Sequence, residues 1–180
     1  MKKVFLTLSF LAMSLTFAQV TPEFDKRLKD NQLTFDYPKS FENVPVIENA
    51  QMPYDFAIKM PNKDFEVRYR IVQALEGKNI TAKDIDAYTL IAASNIGGVN
   101  KANRIMTLSS NDVKNEFNAD FGSVTITEVK GDFTKNKYKY CYLVTLAKDK
   151  VATVYIMYLG NNVQEFRSLM DPIINSLKFK

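Results

Sequence analysis

Two carboxylate pairs, one thiol and one run of alternating lysine and tyrosine are the residues whose types and spacing could do chemistry in this chain. Paired carboxyls can share acid and base work, one giving a proton while the other takes one. Asp84 and Asp86 stand two apart in a helical pattern, so their side chains do not face each other. Glu116 and Asp120 have better spacing, but Asp120 lies past the end of its helix. Both pairs therefore read as solvated helix faces or caps. Cys141 is the single cysteine and falls inside a strand pattern, where a thiol usually serves as a small buried hydrophobe rather than a nucleophile. The run from Lys135 to Tyr140 interleaves Lys135, Lys137 and Lys139 with Tyr138 and Tyr140. Such a stripe can hold an anionic surface, polymer or acidic partner by charge and aromatic contact. Lysines at the start of a strand also guard it against pairing with foreign edges, which is the favoured reading. These five residues are nonetheless the candidate binding residues.

Absences exclude more than these residues support. The chain has no histidine. Ser-His-Asp and Cys-His nucleophile systems are thereby removed, with histidine-ligated zinc and haem. No phosphate-binding loop, dinucleotide fingerprint or calcium loop is present. The sequence assigns no catalytic residue, no metal site and no cofactor, and the protein is expected not to be an enzyme.

The elements that must position these groups follow from patterning. Lys2 and Lys3 precede an apolar run from Val4 to Phe17 and a small residue at Ala18, the form of an export leader over residues 1–18. No cysteine follows it to accept a lipid, so no membrane anchor is expected once the leader is cleaved. The net charge is +4, of which Lys2 and Lys3 supply two, so nucleic acid is not an expected partner. Residues 19–32 read as a lead-in segment in which Phe24 and Leu28 could line one short surface helix. Residues 33–180 read as a single domain.

Within that domain Leu33–Tyr37 and Tyr54–Met60 are strand candidates, each stopped by proline. Phe65, Val67, Tyr69 and Ile71 alternate with Glu66, Arg68 and Arg70, the pattern of a strand with one apolar and one charged face. Thr81 with Asp84 opens a helix carrying Ile85, Tyr88, Ala92 and Ile96 on one stripe; Ser109 with Asp112 opens another. Strands return from Ser123. The runs Tyr138–Ala147 and Val151–Leu159 are apolar on both faces and predict central strands joined by a tight hairpin. Val163 to Leu177 places its apolar residues within an arc of about 140°, which predicts a C-terminal amphipathic helix with Pro172 on its outer side.

Three local features, Leu33-Thr34-Phe35-Asp36-Tyr37-Pro38, the Tyr142–Leu159 hairpin and the closing Ile174-Asn175-Ser176-Leu177-Lys178-Phe179, occur in an order that resembles the PsbP-like superfamily, the group of the photosystem II extrinsic protein P and the yeast Ran-binding protein of the same fold. The resemblance implies an α+β fold, an α/β/α sandwich on a central antiparallel sheet. It also implies binding or assembly of other proteins rather than catalysis. The expected function is an exported accessory or assembly protein, periplasmic or secreted, that binds a protein complex of the cell envelope. The alternative is a small-ligand or polymer-binding module using a groove between the sheet and the Asp112–Phe117 helix.

Overall fold

The computed structural model describes residues 20–98 and 104–180, so the leader expected at 1–18 lies outside the described residues. Two strands, β1 (Leu33–Phe35) and β9 (Leu177–Phe179), pair antiparallel as a separate ribbon. Seven others form one antiparallel sheet: β2 (Glu42–Asn43), β3 (Phe56–Lys59), β4 (Phe65–Gln73), β5 (Met106–Thr107), β6 (Phe121–Glu128), β7 (Tyr140–Lys148) and β8 (Ala152–Gly160). Their spatial order is β2-β3-β4-β8-β7-β6-β5. The expected hairpin is β7–β8, in register from Tyr140 opposite Gly160 to Lys148 opposite Ala152. It lies at the centre of the sheet because its residues are apolar on both faces and need cover from both sides.

Helices supply that cover. On one face lie α2 (Ala82–Gly97) and the short α4 (Gly131–Thr134), with Ile96, Phe133, Leu143 and Met157 in their core. On the other lie α1 (Pro22–Asp30), α3 (Ser110–Phe117), α5 (Phe166–Met170) and the β1/β9 ribbon, around Phe56, Tyr69, Ile156 and Tyr158. The fold is α+β, an antiparallel sheet between two helical layers. The start of α2 is fixed by the capping box read from sequence: Asp84 N–H donates to Thr81 Oγ1 at 3.3 Å and Thr81 N–H donates to Asp84 Oδ2 at 2.8 Å. Its other end passes so close to β6 that a side chain at Gly97 would run into Thr127 and the Glu128 carbonyl.

Three expectations are corrected. The helix expected in the lead-in segment is α1, exposed on its outer face, but it is anchored in the domain core rather than leading into it: Phe24 and Leu28 are buried and the Phe24 ring stacks on Phe56 with centroids 4.5 Å apart. The continuous C-terminal helix is absent. A 3-10 turn at Val163–Glu165 leads into α5, which ends at Met170, and the chain turns through Pro172 into β9. Proline cannot donate the backbone bond a longer helix would need, while Leu177–Phe179 gains three paired positions against β1. The apolar residues of the expected stripe still reach the core, with Phe166, Met170, Ile173 and Leu177 all buried. Third, two of the three charged residues on the charged face of β4 do not meet water. Glu66 and Arg68 are buried beneath α4 and the 49–54 loop.

Candidate functional site

The lysine and tyrosine run does not form one stripe, although Tyr138, Lys139 and Tyr140 share the lining of a recess of about 380 Å³. Lys135 ends α4 in a left-handed conformation and is exposed. Tyr138 is buried in the core on the α2 side, whereas Tyr140 packs toward the opposite core. Lys137 is half-exposed over the Tyr138 ring, 4.9 Å from its centroid, and 3.7 Å from Glu66 Oε2. Lys139 is exposed, and its N–H donates to Asn161 Oδ1 at 3.1 Å. The reading of these lysines as edge guards is corrected as well, because β7 runs between β6 and β8 and has no free edge.

Beneath this run lies a charge pair that the sequence pattern had placed in solvent. Arg68 Nε donates to Glu66 Oε1 at 2.7 Å, and its Nη1 donates to the Phe133 carbonyl at 3.0 Å. The guanidinium is clamped between the rings of Tyr54 and Phe133, 4.6 and 4.9 Å from their centroids. Tyr138 Oη donates to Glu66 Oε2 at 3.2 Å, and burial followed by the charge of Glu66 pushes its phenol well above the ordinary range. Every strong partner in this group is used internally. It ties β4 to α4 and offers no group to a substrate.

Three of the four carboxylates are engaged in the fold and the thiol is buried. Asp84 is held below the usual carboxylate range by the hydrogen bonds it makes within the Thr81 cap. Asp86, expected on a solvated face, accepts hydrogen bonds from Ser123 Oγ and from Thr107 Oγ1, fastening α2 to β5 and β6. Asp120 Oδ2 accepts from the Asp149 N–H at 2.9 Å, while Glu116 is exposed. Cys141 is fully buried, and desolvation raises its thiol far above its ordinary value. Among the described residues no group of three or more acidic, histidine or cysteine side chains could hold a metal ion.

Arg70 differs from all of these. It points the same way from β4 as Arg68 but stands at the rim, half-buried, and no carboxylate pairs with it among the described residues. Its guanidinium lies 5.9 Å from the Tyr155 ring centroid, and Nη1 is 3.4 Å from the Met52 sulfur, a weak acceptor. The recess around it, about 310 Å³, is walled by Met52, Pro53, Tyr88, Ile91 and Tyr155. A second recess of about 370 Å³ shares Val72, Tyr88 and Tyr155 with it and continues to Leu75 and Ile80. The two form one groove between α2 and the end of β4. Burial raises the Tyr155 phenol, so the groove presents neutral aromatic surface beside an unneutralised cation. Such a groove can bind an apolar body that carries a carboxylate; its lining also includes Lys78 and Asp84, whose carboxylate is engaged in the Thr81 cap.

Two other recesses bear on the sequence reading. The groove expected between α3 and the sheet is present at about 180 Å³, lined by Phe117, Val124, Tyr142 and Ile174 among others, which is below the usual size of a small-molecule site. Another cleft, about 480 Å³, lies between the β3–β4 turn and the segment after β8. Its lysines are balanced by acids: Lys59 Nζ is 3.0 Å from Glu42, and Asp64 and Glu165 share the lining with Lys63 and Lys137. The Arg70 groove was missed from sequence. Its one signal there is Ile91, an apolar residue that stands off the buried stripe of α2.

No family model matches the chain, and no curated protein matches it. Among solved structures the chain is similar to the solution structure of cyanobacterial PsbP (CyanoP) from Synechocystis sp. PCC 6803, at 13% identity and a TM-score of 0.49 over 83% of this chain and 88% of that one. At 13% identity that neighbour lends no residue a role.

Proposed function

We propose that the protein is a non-enzymatic, exported accessory factor that binds a protein of the cell envelope through the groove between α2 and β4. The observation that carries this reading is the exposure of large apolar side chains along the groove: Val72 at 38%, Leu75 at 67% and Ile91 at 59%, with Leu90 beside Ile91 on α2 at 46%. Large apolar side chains gathered along one groove and kept in water mark an interaction surface. Tyrosine and arginine at its centre are the residue types that carry binding energy in protein interfaces. Export follows from the leader pattern at residues 1–18, and an accessory role agrees with the resemblance read from the sequence.

The experiment is affinity purification of the tagged full chain with crosslinking from the envelope fraction, beside an Ile91→Glu variant. The reading expects one envelope protein that the native chain recovers and the variant does not. Recovery of the protein alone, or equal recovery by both chains, overturns it. Fractionation of cells expressing the full chain tests export separately, with accumulation in the cytoplasm as the contrary result.

A further inference from the structure

The outer edge of β4 is only half covered. β3 pairs with it from Glu66 to Tyr69 and no farther. The Tyr69 carbonyl accepts from the Asp55 N–H and the Ile71 N–H donates to Asp55 Oδ2, both at 2.7 Å, so Asp55 closes the paired part. Beyond that point the backbone alternates: Ala74 N–H donates inward to the Val151 carbonyl, so the Ile71 carbonyl and both polar groups of Gln73 point outward from the sheet. No partner meets them among the described residues. Gln73 is exposed, and Arg70 and Val72, the side chains that alternate with Ile71 and Gln73, open into the groove.

We propose that the open end of β4 takes an extended segment of a partner protein as an added strand, with an acidic side chain of that segment paired to Arg70. Three features select this occupant together. Outward backbone groups in strand geometry demand an extended chain rather than a helix. The Arg70 guanidinium matches a carboxylate in two parallel hydrogen bonds, and no acid of this chain takes that place. Val72, Leu75 and Tyr88 give apolar contacts to side chains of the segment that fall on the same face as the acid. This inference rests on the reading of the groove as a protein-binding surface.

The test pans a phage-displayed random peptide library on the full chain and measures the enriched peptides by fluorescence anisotropy. Enrichment of an acidic residue flanked by β-branched or aromatic residues is expected. Arg70→Ala should weaken those peptides about tenfold or more. Gln73→Pro, which removes the outward N–H without breaking a bond of the folded chain, should do the same, whereas Gln73→Ala should bind as the native chain does. N-methylation of alternate peptide residues should abolish binding in one register only. Absence of enrichment, peptides without an acid, or indifference to both Arg70→Ala and N-methylation would overturn the proposal. If peptides bind as described but no envelope protein is recovered, the accessory role fails and the strand site stands. If an envelope protein is recovered equally by the native, Arg70→Ala and Gln73→Pro chains, strand addition fails and the role stands.

Discussion

Arg68 and Arg70 stand two residues apart on the same face of β4, yet Arg68 is bonded to Glu66 at 2.7 Å while Arg70 has no carboxylate among the described residues. Depth accounts for the difference. A guanidinium at 1% exposure would be intolerable without its charge partner, whereas one at the rim is solvated and can wait for a ligand. The two arginines therefore predict opposite responses to substitution.

Removing the partner of the buried arginine should be costly. Glu66→Ala strands Arg68 in the core and is expected to lower stability by about 3–5 kcal/mol in urea unfolding. The double replacement Glu66→Leu with Arg68→Met should cost less than that single change, because it leaves no orphaned charge. A double variant less stable than Glu66→Ala would contradict this.

Arg70→Ala should leave the unfolding midpoint close to native. It gives up one cation–π contact of about 0.5–1 kcal/mol and a weak bond to Met52 sulfur. A loss as large as that from Glu66→Ala would place Arg70 in the structural framework and not in a binding groove.

Phe24 tests whether α1 belongs to the core. Phe24→Ala removes a buried ring stacked on Phe56 and edge-on to Phe35, and should cost about 3–5 kcal/mol. If α1 were a dispensable lead-in, chemical unfolding would change by less than about 1 kcal/mol.

Alkaline pH should unfold the protein before its fully buried thiol and phenols ionise in place. Burial raises Cys141 from its ordinary 9.0, and Tyr69 and Tyr158 from 10.0. The stability these groups contribute is complete below those ordinary values. It is lost as pH rises through them toward the folded values, because above them the unfolded chain releases protons that the folded chain keeps. Each group steepens the fall by about 1.4 kcal/mol per pH unit. Cys141→Ala should remove part of the slope between pH 9.0 and 10.0. Tyrosinate absorbance that rises fully before the unfolding transition would contradict the burial of these phenols.

What could be read from the sequence was local. Thr81 and Asp84 lie three residues apart and their side chains cap each other's backbone, so the cap of α2 was legible; so was the β7–β8 hairpin, whose partners meet across one tight turn. The C-terminal segment was misread because its decisive partner is remote. Leu177–Phe179 is a strand only because Leu33–Phe35 is there to pair with it, and helical periodicity alone contains nothing of that. Glu66 and Arg68 alternate with apolar residues just as a solvent-facing pair would. Their burial depends on Phe133, which is 65 residues from Arg68 in the chain. The groove was hidden for the same reason: its walls come from β4, α2, β8 and the 50–53 segment, and only the stray apolar Ile91 of α2 hinted at it.

The most direct test of the groove as a protein-binding surface is site-specific photo-crosslinking. A photoreactive amino acid is placed at Ile91, and in a separate chain at exposed Glu116 on the opposite face, and each is irradiated with the envelope fraction. The account predicts one discrete crosslinked envelope protein from Ile91, none from Glu116, and loss of the Ile91 product when Arg70→Ala is added. Equal products from the two positions, or no product from Ile91, would contradict it.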